Sequence, residues 1–232
     1  ADESTALGYW ADVWASDEFW CYLADRAAQA HDARLTDAFV ASLRQELPAR
    51  VLAPVSDRAA SFLDAGDPTR AGVAVRALRR SGMPETDVEA AARRAVSPLR
   101  ARIEAGIAET DRLRAALSQS DGHSAKNRAA FSEARIGLVS RVLGPYQRLR
   151  RVDPLSDQGL ADRVADEARS LSVSAFNVLD DSDTSFLLAR VAMDIGRTPD
   201  TLRALARDQA TVARRYHQDQ AARATATKRN DR

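Results

Sequence analysis

Thiols, lysines and histidines are scarce in this chain: one cysteine, two lysines (Lys126 and Lys228) and three histidines among 232 residues. The lone Cys21 excludes an internal disulfide, so packing alone must hold the fold. His31, His123 and His217 stand at no metal-ligand spacing from one another or from Cys21, and neither a metal nor a cofactor is expected. There is no glycine-rich phosphate loop with its lysine, no Gly-x-Ser-x-Gly elbow and no His-Glu-x-x-His helix. No uncharged apolar run approaches the roughly 18 residues of a membrane-spanning helix. The acidic start Ala1-Asp2-Glu3-Ser4 lacks the basic and apolar regions of a signal peptide, although a removed leader would leave no trace; the single cysteine points to the cytoplasm, and the missing initiator Met suggests processing or excision from a longer chain.

What the chain does have is charge in blocks and helical periodicity. The net charge of +1 conceals nine acids against three arginines over residues 1–47, then seventeen bases against eight acids over 70–151. Residues 152–188 reverse again, with eight acids against two bases. Such asymmetry bears on partners and self-association rather than on fold. With 45% hydrophobic and 29% charged residues, the balance is that of a folded protein.

Apolar residues recur at three and four throughout, and strand signals are nearly absent. Leu7, Trp10 and Trp14 share a face of a first helix; Ser16 caps a second carrying Phe19, Trp20 and Leu23. Leu35, Phe39, Leu43 and Leu47 mark a third helix closed by Pro48, and a further helix through Val51–Leu63 ends at Gly66. Asp67-Pro68 opens the next, through Ala71, Val75 and Leu78. Val88 to Leu117 outlines one long helix with a kink or break at Ser97-Pro98. Breaks are expected at Ser118–Asn127, Gly144-Pro145 and Asp153-Pro154. Ser156 caps a helix carrying Leu160, Val164, Leu171 and Phe176; a turn at Asp180–Thr184, capped by Ser182 or Asp183, leads to a helix through Phe186 and Ile195. Thr198-Pro199-Asp200 starts the last one. The expected fold is all-α: about nine or ten helices in antiparallel hairpins, an irregular bundle or a short α-solenoid. Residues 1–118 and 128–222 form its two parts, joined by a 119–127 loop and followed by a flexible 223–232 tail.

Residues 59–84 resemble a tetratricopeptide-type helix pair. Ala59 and Phe62 occupy the small and aromatic positions of its first helix, Gly66-Asp67 its turn, and Ala71 and Val75 its second helix, with the closing Pro84 displaced by one position. The resemblance covers one repeat, where an array needs about three. It implies a scaffold that binds other polypeptides on a helical face.

Six of the thirteen aromatics, Tyr9, Trp10, Trp14, Phe19, Trp20 and Tyr22, fall within fourteen residues. They read either as a local core or as an exposed patch that grips a partner, with Trp10, Trp14 and Trp20 the interface candidates. Arg79-Arg80, Arg93-Arg94 and the run Arg141, Arg148, Arg150, Arg151 read as solvated faces, or as contacts to phosphate groups or an acidic protein. Asp180, Asp181 and Asp183 partly resemble the magnesium-binding aspartates of all-α prenyl-diphosphate and terpene enzymes, but the spacing is Asp-Asp-x-Asp rather than Asp-Asp-x-x-Asp; helix capping is the simpler reading. The leading expectation is therefore a non-catalytic scaffold or adaptor whose partner is another protein or a second copy of itself, with no membrane or nucleic-acid partner. The alternatives are an all-α enzyme acting with magnesium on a phosphorylated or prenyl diphosphate substrate, and a nucleic-acid accessory protein.

Overall fold

The computed structural model describes residues 3–30, 34, 36–117, 124–154 and 158–230. Their regular structure is entirely helical: α1 (Glu3–Ala15), α2 (Asp17–Gln29), α3 (Asp37–Asp64), α4 (Pro68–Arg79), α5 (Glu85–Ala115), α6 (Ala125–Gly137), a π-helical segment (Leu138–Leu143), α7 (Gly144–Val152), α8 (Gln158–Leu179), α9 (Ser182–Ile195) and α10 (Pro199–Asn230). No helix of the described residues is long and apolar enough to cross a membrane. Two compact units divide the chain, Ala1–Arg100 with Arg148–Pro154, and Ala101–Gln147 with Leu155–Arg232. The division falls inside α5 rather than at the expected 119–127 loop; residues 118–123, with His123, lie outside the described residues, as do His31, Leu35 and Ser156.

In the first unit the α3–α4 hairpin is built as its sequence signals suggest. Gly66, at φ +79°, donates its N–H to Leu63 O at 3.1 Å, and Asp67 N–H reaches back to Phe62 O at 2.8 Å, so orphan carbonyls at the end of α3 are satisfied. The Asp67 side chain then caps α4, accepting from Arg70 N–H at 3.0 Å, with Pro68 at the first helical position. Ala59, Leu63, Ala71, Val75 and Leu78 are buried along the pair. α1 packs on α3 and α4 through Leu7 and Ala11, while α2 packs on α3 through Trp20, Ala27 and Val40, with Leu23, Leu43 and Leu47 at the margin. Phe39, expected on the buried side, is instead exposed.

Two prolines, Pro48 and Pro98, do not interrupt helices where they were expected to. α3 runs unbroken through Pro48 and Pro54, and α5 through Pro98. An interior proline withholds one N–H from the carbonyl four residues back, at about 3 kcal/mol. At Pro98 that carbonyl belongs to Arg94, and the Ser97 hydroxyl donates to it at 2.9 Å. Pro48 is buried within α3. Gly144-Pro145 likewise causes no break, because the π-helical segment leads directly into α7.

Arg79 ties the first unit together across the sequence. Its Nε and Nη2 donate to Asp153 at 2.9–3.1 Å and its Nη1 to Glu89 at 2.6 Å. Asp153 is 4% exposed, so Arg79 stands in for the water its carboxylate has lost. Ser56 adds a buried hydrogen bond from α3 to Ala91 O on α5.

In the second unit α8 is the central helix, packed against α6, the π-helical segment, α9 and α10. Leu160, Val164, Ala168, Leu171 and Ala175 form its buried stripe. Asp162 on α8 accepts from the N–H groups of Arg197 at 2.7 Å and Thr198 at 3.2 Å, fixing the α9–α10 connection. Burial opposes the charge of Asp162, but these hydrogen bonds outweigh it and hold its pKa below the ordinary value. α10 extends past Ala222 to Asn230; residues 223–227 are exposed, and Arg223 pairs with Asp183 at 2.6 Å.

Among the described glycines, Gly106 on α5 has the closest backbone neighbour. A Cβ there would lie 2.5 Å from the carbonyl oxygen of Arg141 and 2.9 Å from its carbon. Gly106→Ala should therefore destabilise the protein by about 1–3 kcal/mol, read as a lower midpoint in urea, whereas Gly8→Ala, where nothing lies within 4 Å, should not destabilise it. Arg79→Met, which leaves Asp153 buried without its partner, should cost about 3 kcal/mol in the same measurement.

Candidate interaction surface and buried charges

The six N-terminal aromatics divide between core and surface. Trp20 is 5% exposed; its indole Nε1–H donates to Trp14 O at 3.0 Å, which pins the α1–α2 junction where Ser16 caps α2. Phe19 meets its ring edge to face at 5.2 Å, and Arg44 lies over it at 5.8 Å while pairing with Asp17 at 2.6 Å. Trp14 is half-buried. Trp10 is 46% exposed, Tyr9 68%, Tyr22 60% and Phe19 40%. Of the three tryptophans proposed for an interface, Trp20 thus belongs to the core and Trp10 to the surface.

Helical spacing explains the split on α2. Trp20, Leu23 and Ala27 follow one another at three and four residues and face α3. Phe19, Tyr22 and Arg26 do so on the outer side, where Arg26 stacks on Tyr22 at 5.9 Å. Asp12, Glu18 and Asp25 are exposed on the same two helices, and none has a basic partner among the described residues. Among the described residues the acidic block does not pair with the basic middle of its own unit; its ion pairs, Asp17–Arg44 and Glu46–Arg50, stay within residues 1–50. Cys21 is exposed.

The aspartates of the α8–α9 turn are occupied. Asp181, rather than Ser182 or Asp183, is the cap of α9 and accepts from Thr184 N–H at 3.0 Å. Asp183 accepts from Gln220 at 3.0 Å and Arg223 at 2.6 Å, and Asp180, at φ +50°, pairs with Arg215 at 3.4 Å. Arginines of α10 stand where a magnesium site would need open carboxylates. Among the described residues no group of three His, Cys, Asp or Glu is placed to hold a metal. Arg148, Arg150 and Arg151 are exposed on α7. In the second unit Tyr216 stacks on Phe186 at 4.5 Å, with His217 at the ring edge.

One buried charge escaped the sequence reading. Glu167 on α8 is 6% exposed, and its Oε1 has no hydrogen-bond partner; Arg114 Nε, equally unpartnered, stands 3.8 Å away. Burial pushes the Glu167 pKa up to about 7, Arg114 pulls it down and Asp111, which pairs with Arg114, adds a further push upward. The available signal was its place at the edge of the Leu160, Val164, Leu171 stripe.

Compared with protein-family models, curated proteins and solved structures, the chain matches none.

The raised pKa makes the ionised form of Glu167 costly in the folded state. Stability should therefore fall as pH rises from the unfolded value near 4.5 through about 7. Glu167→Gln should remove that slope and stabilise the protein above pH 7 on the order of 1–3 kcal/mol, measured by urea unfolding across pH 4–8.

Proposed function

We propose that this chain is a non-catalytic protein-interaction module that docks a basic partner segment on the outer face of α1 and α2. The observation that carries the reading is the exposure of Tyr9, Trp10, Phe19 and Tyr22 beside the buried anchors Leu7 and Trp20. Exposed aromatics held on rigid helices suit a binding hot spot, because little side-chain freedom remains to be lost on association. Charge sets the partner's chemistry: Asp12, Glu18 and Asp25 flank these rings and would attract lysine- or arginine-rich segments. The helix-hairpin architecture fits a scaffold or adaptor, as the tetratricopeptide-like pair at residues 59–84 also suggested.

A basic amphipathic helical peptide bearing leucine or phenylalanine anchors is the direct probe. Titrated against the intact chain by calorimetry, it should bind at one site and lose about tenfold or more in affinity on Trp10→Ala or Tyr22→Ala. These variants should leave the urea midpoint nearly unchanged. Trp20→Ala, by contrast, should cost about 3–5 kcal/mol of stability. Binding indifferent to Trp10 and Tyr22 would count against this face.

A further inference from the structure

A narrow cleft of about 220 Å³ runs along α4 in the first unit, lined by Pro68, Thr69, Gly72, Arg76 and Arg151. Pro68, Gly72 and Arg76 stand at i, i+4 and i+8, so one face of α4 forms its floor. Gly72 is buried against the Arg151–Val152 backbone, 3.6 Å from where its Cβ would be, and Arg76 brings Nη1 to 3.3 Å of the same point. A side chain at position 72 would crowd the Arg76 guanidinium; glycine leaves that space open. The lining holds two arginines and a threonine hydroxyl but no carboxylate. Asp67, the nearest acid in sequence, caps α4 and pairs with Arg70 at 3.5 Å. Neither Arg76 nor Arg151 has an acidic partner among the described residues, in contrast to Arg79, whose three guanidine nitrogens are all occupied.

We propose that this cleft is an oxyanion site that takes a phosphate group, free or as a monoester, between Arg76 and Arg151 with Thr69 as a further donor. Two guanidiniums match the charge of a phosphate dianion, and its oxygens can accept from both planar donor sets at once, more than a monoanionic carboxylate ligand offers. The site is separate from the aromatic face of α1 and α2 and does not depend on it.

The test titrates the intact chain with inorganic phosphate, O-phosphoserine and acetate, following backbone amide shifts by NMR. Saturable binding at millimolar or lower concentration is expected, with the largest shifts at residues 68–76 and 151, and with acetate weaker. Arg76→Gln and Arg151→Gln should each weaken phosphate binding by about tenfold, while Arg150→Gln, from the same arginine run but outside the cleft, should not. All three side chains are exposed, and circular dichroism checks that each variant is folded. O-phosphoserine binding at least as tightly as phosphate would make the ester the ligand; the reverse order would make it the free ion. Absence of saturation, or binding unchanged in both Arg76→Gln and Arg151→Gln, would overturn the assignment.

Discussion

Arg79 uses all three of its guanidine nitrogens, two on the nearly buried Asp153 and one on Glu89. Asp153 lies 74 residues further along the chain, and the short Arg148–Pro154 segment belongs to the first compact unit although the residues before and after it belong to the second. Leu149 and Val152 bring apolar contact to that placement, but apolar contact is not directional. The bidentate pair supplies the direction: it fixes the segment's position against α4, and so the second wall of the cleft at Gly72. A neutral residue at 79 would leave an uncompensated charge inside the unit, which is why this interaction constrains more than its net energy suggests.

Backbone hydrogen bonding accounts for the other structural decisions. A proline inside a helix denies one carbonyl its partner, and the chain answers in different ways. At Pro98 the preceding serine hydroxyl serves that carbonyl. At Pro145 the helix enters through a π-helical segment, in which the Gly144 N–H reaches Val139 O, five residues back.

These answers set the limits of what could be read in advance. The α3–α4 turn was legible because Gly66, Asp67 and Pro68 act locally, each through its own backbone or cap geometry. The Thr198-Pro199 start was legible for the same reason, with Thr201 N–H reaching Thr198 Oγ1 at 3.4 Å. The prolines at 48, 98 and 145 were not, since whether an orphan carbonyl is tolerable depends on packing and on hydroxyls whose orientation no spacing rule gives. Periodicity located the aromatic cluster but could not divide it, because Trp20 and Tyr22 differ only in which side of α2 meets α3. Asp180, Asp181 and Asp183 suggested metal chemistry only while Arg215, Gln220 and Arg223, more than thirty residues away, were out of view.

Asp67 belongs to two helices at once. Its N–H closes α3, its carboxylate caps α4, and its carbonyl accepts the N–H of Ala71 at 3.2 Å. With Gly66 held at positive φ beside it, the hairpin has no idle residue between its arms. A connection of that kind is locked in length: one added residue would separate the closing role from the opening one and rotate α4 about its axis, turning Gly72 and Arg76 away from the segment they now face. Drift in this part of the chain is therefore confined to substitution, while insertions and deletions must be absorbed elsewhere.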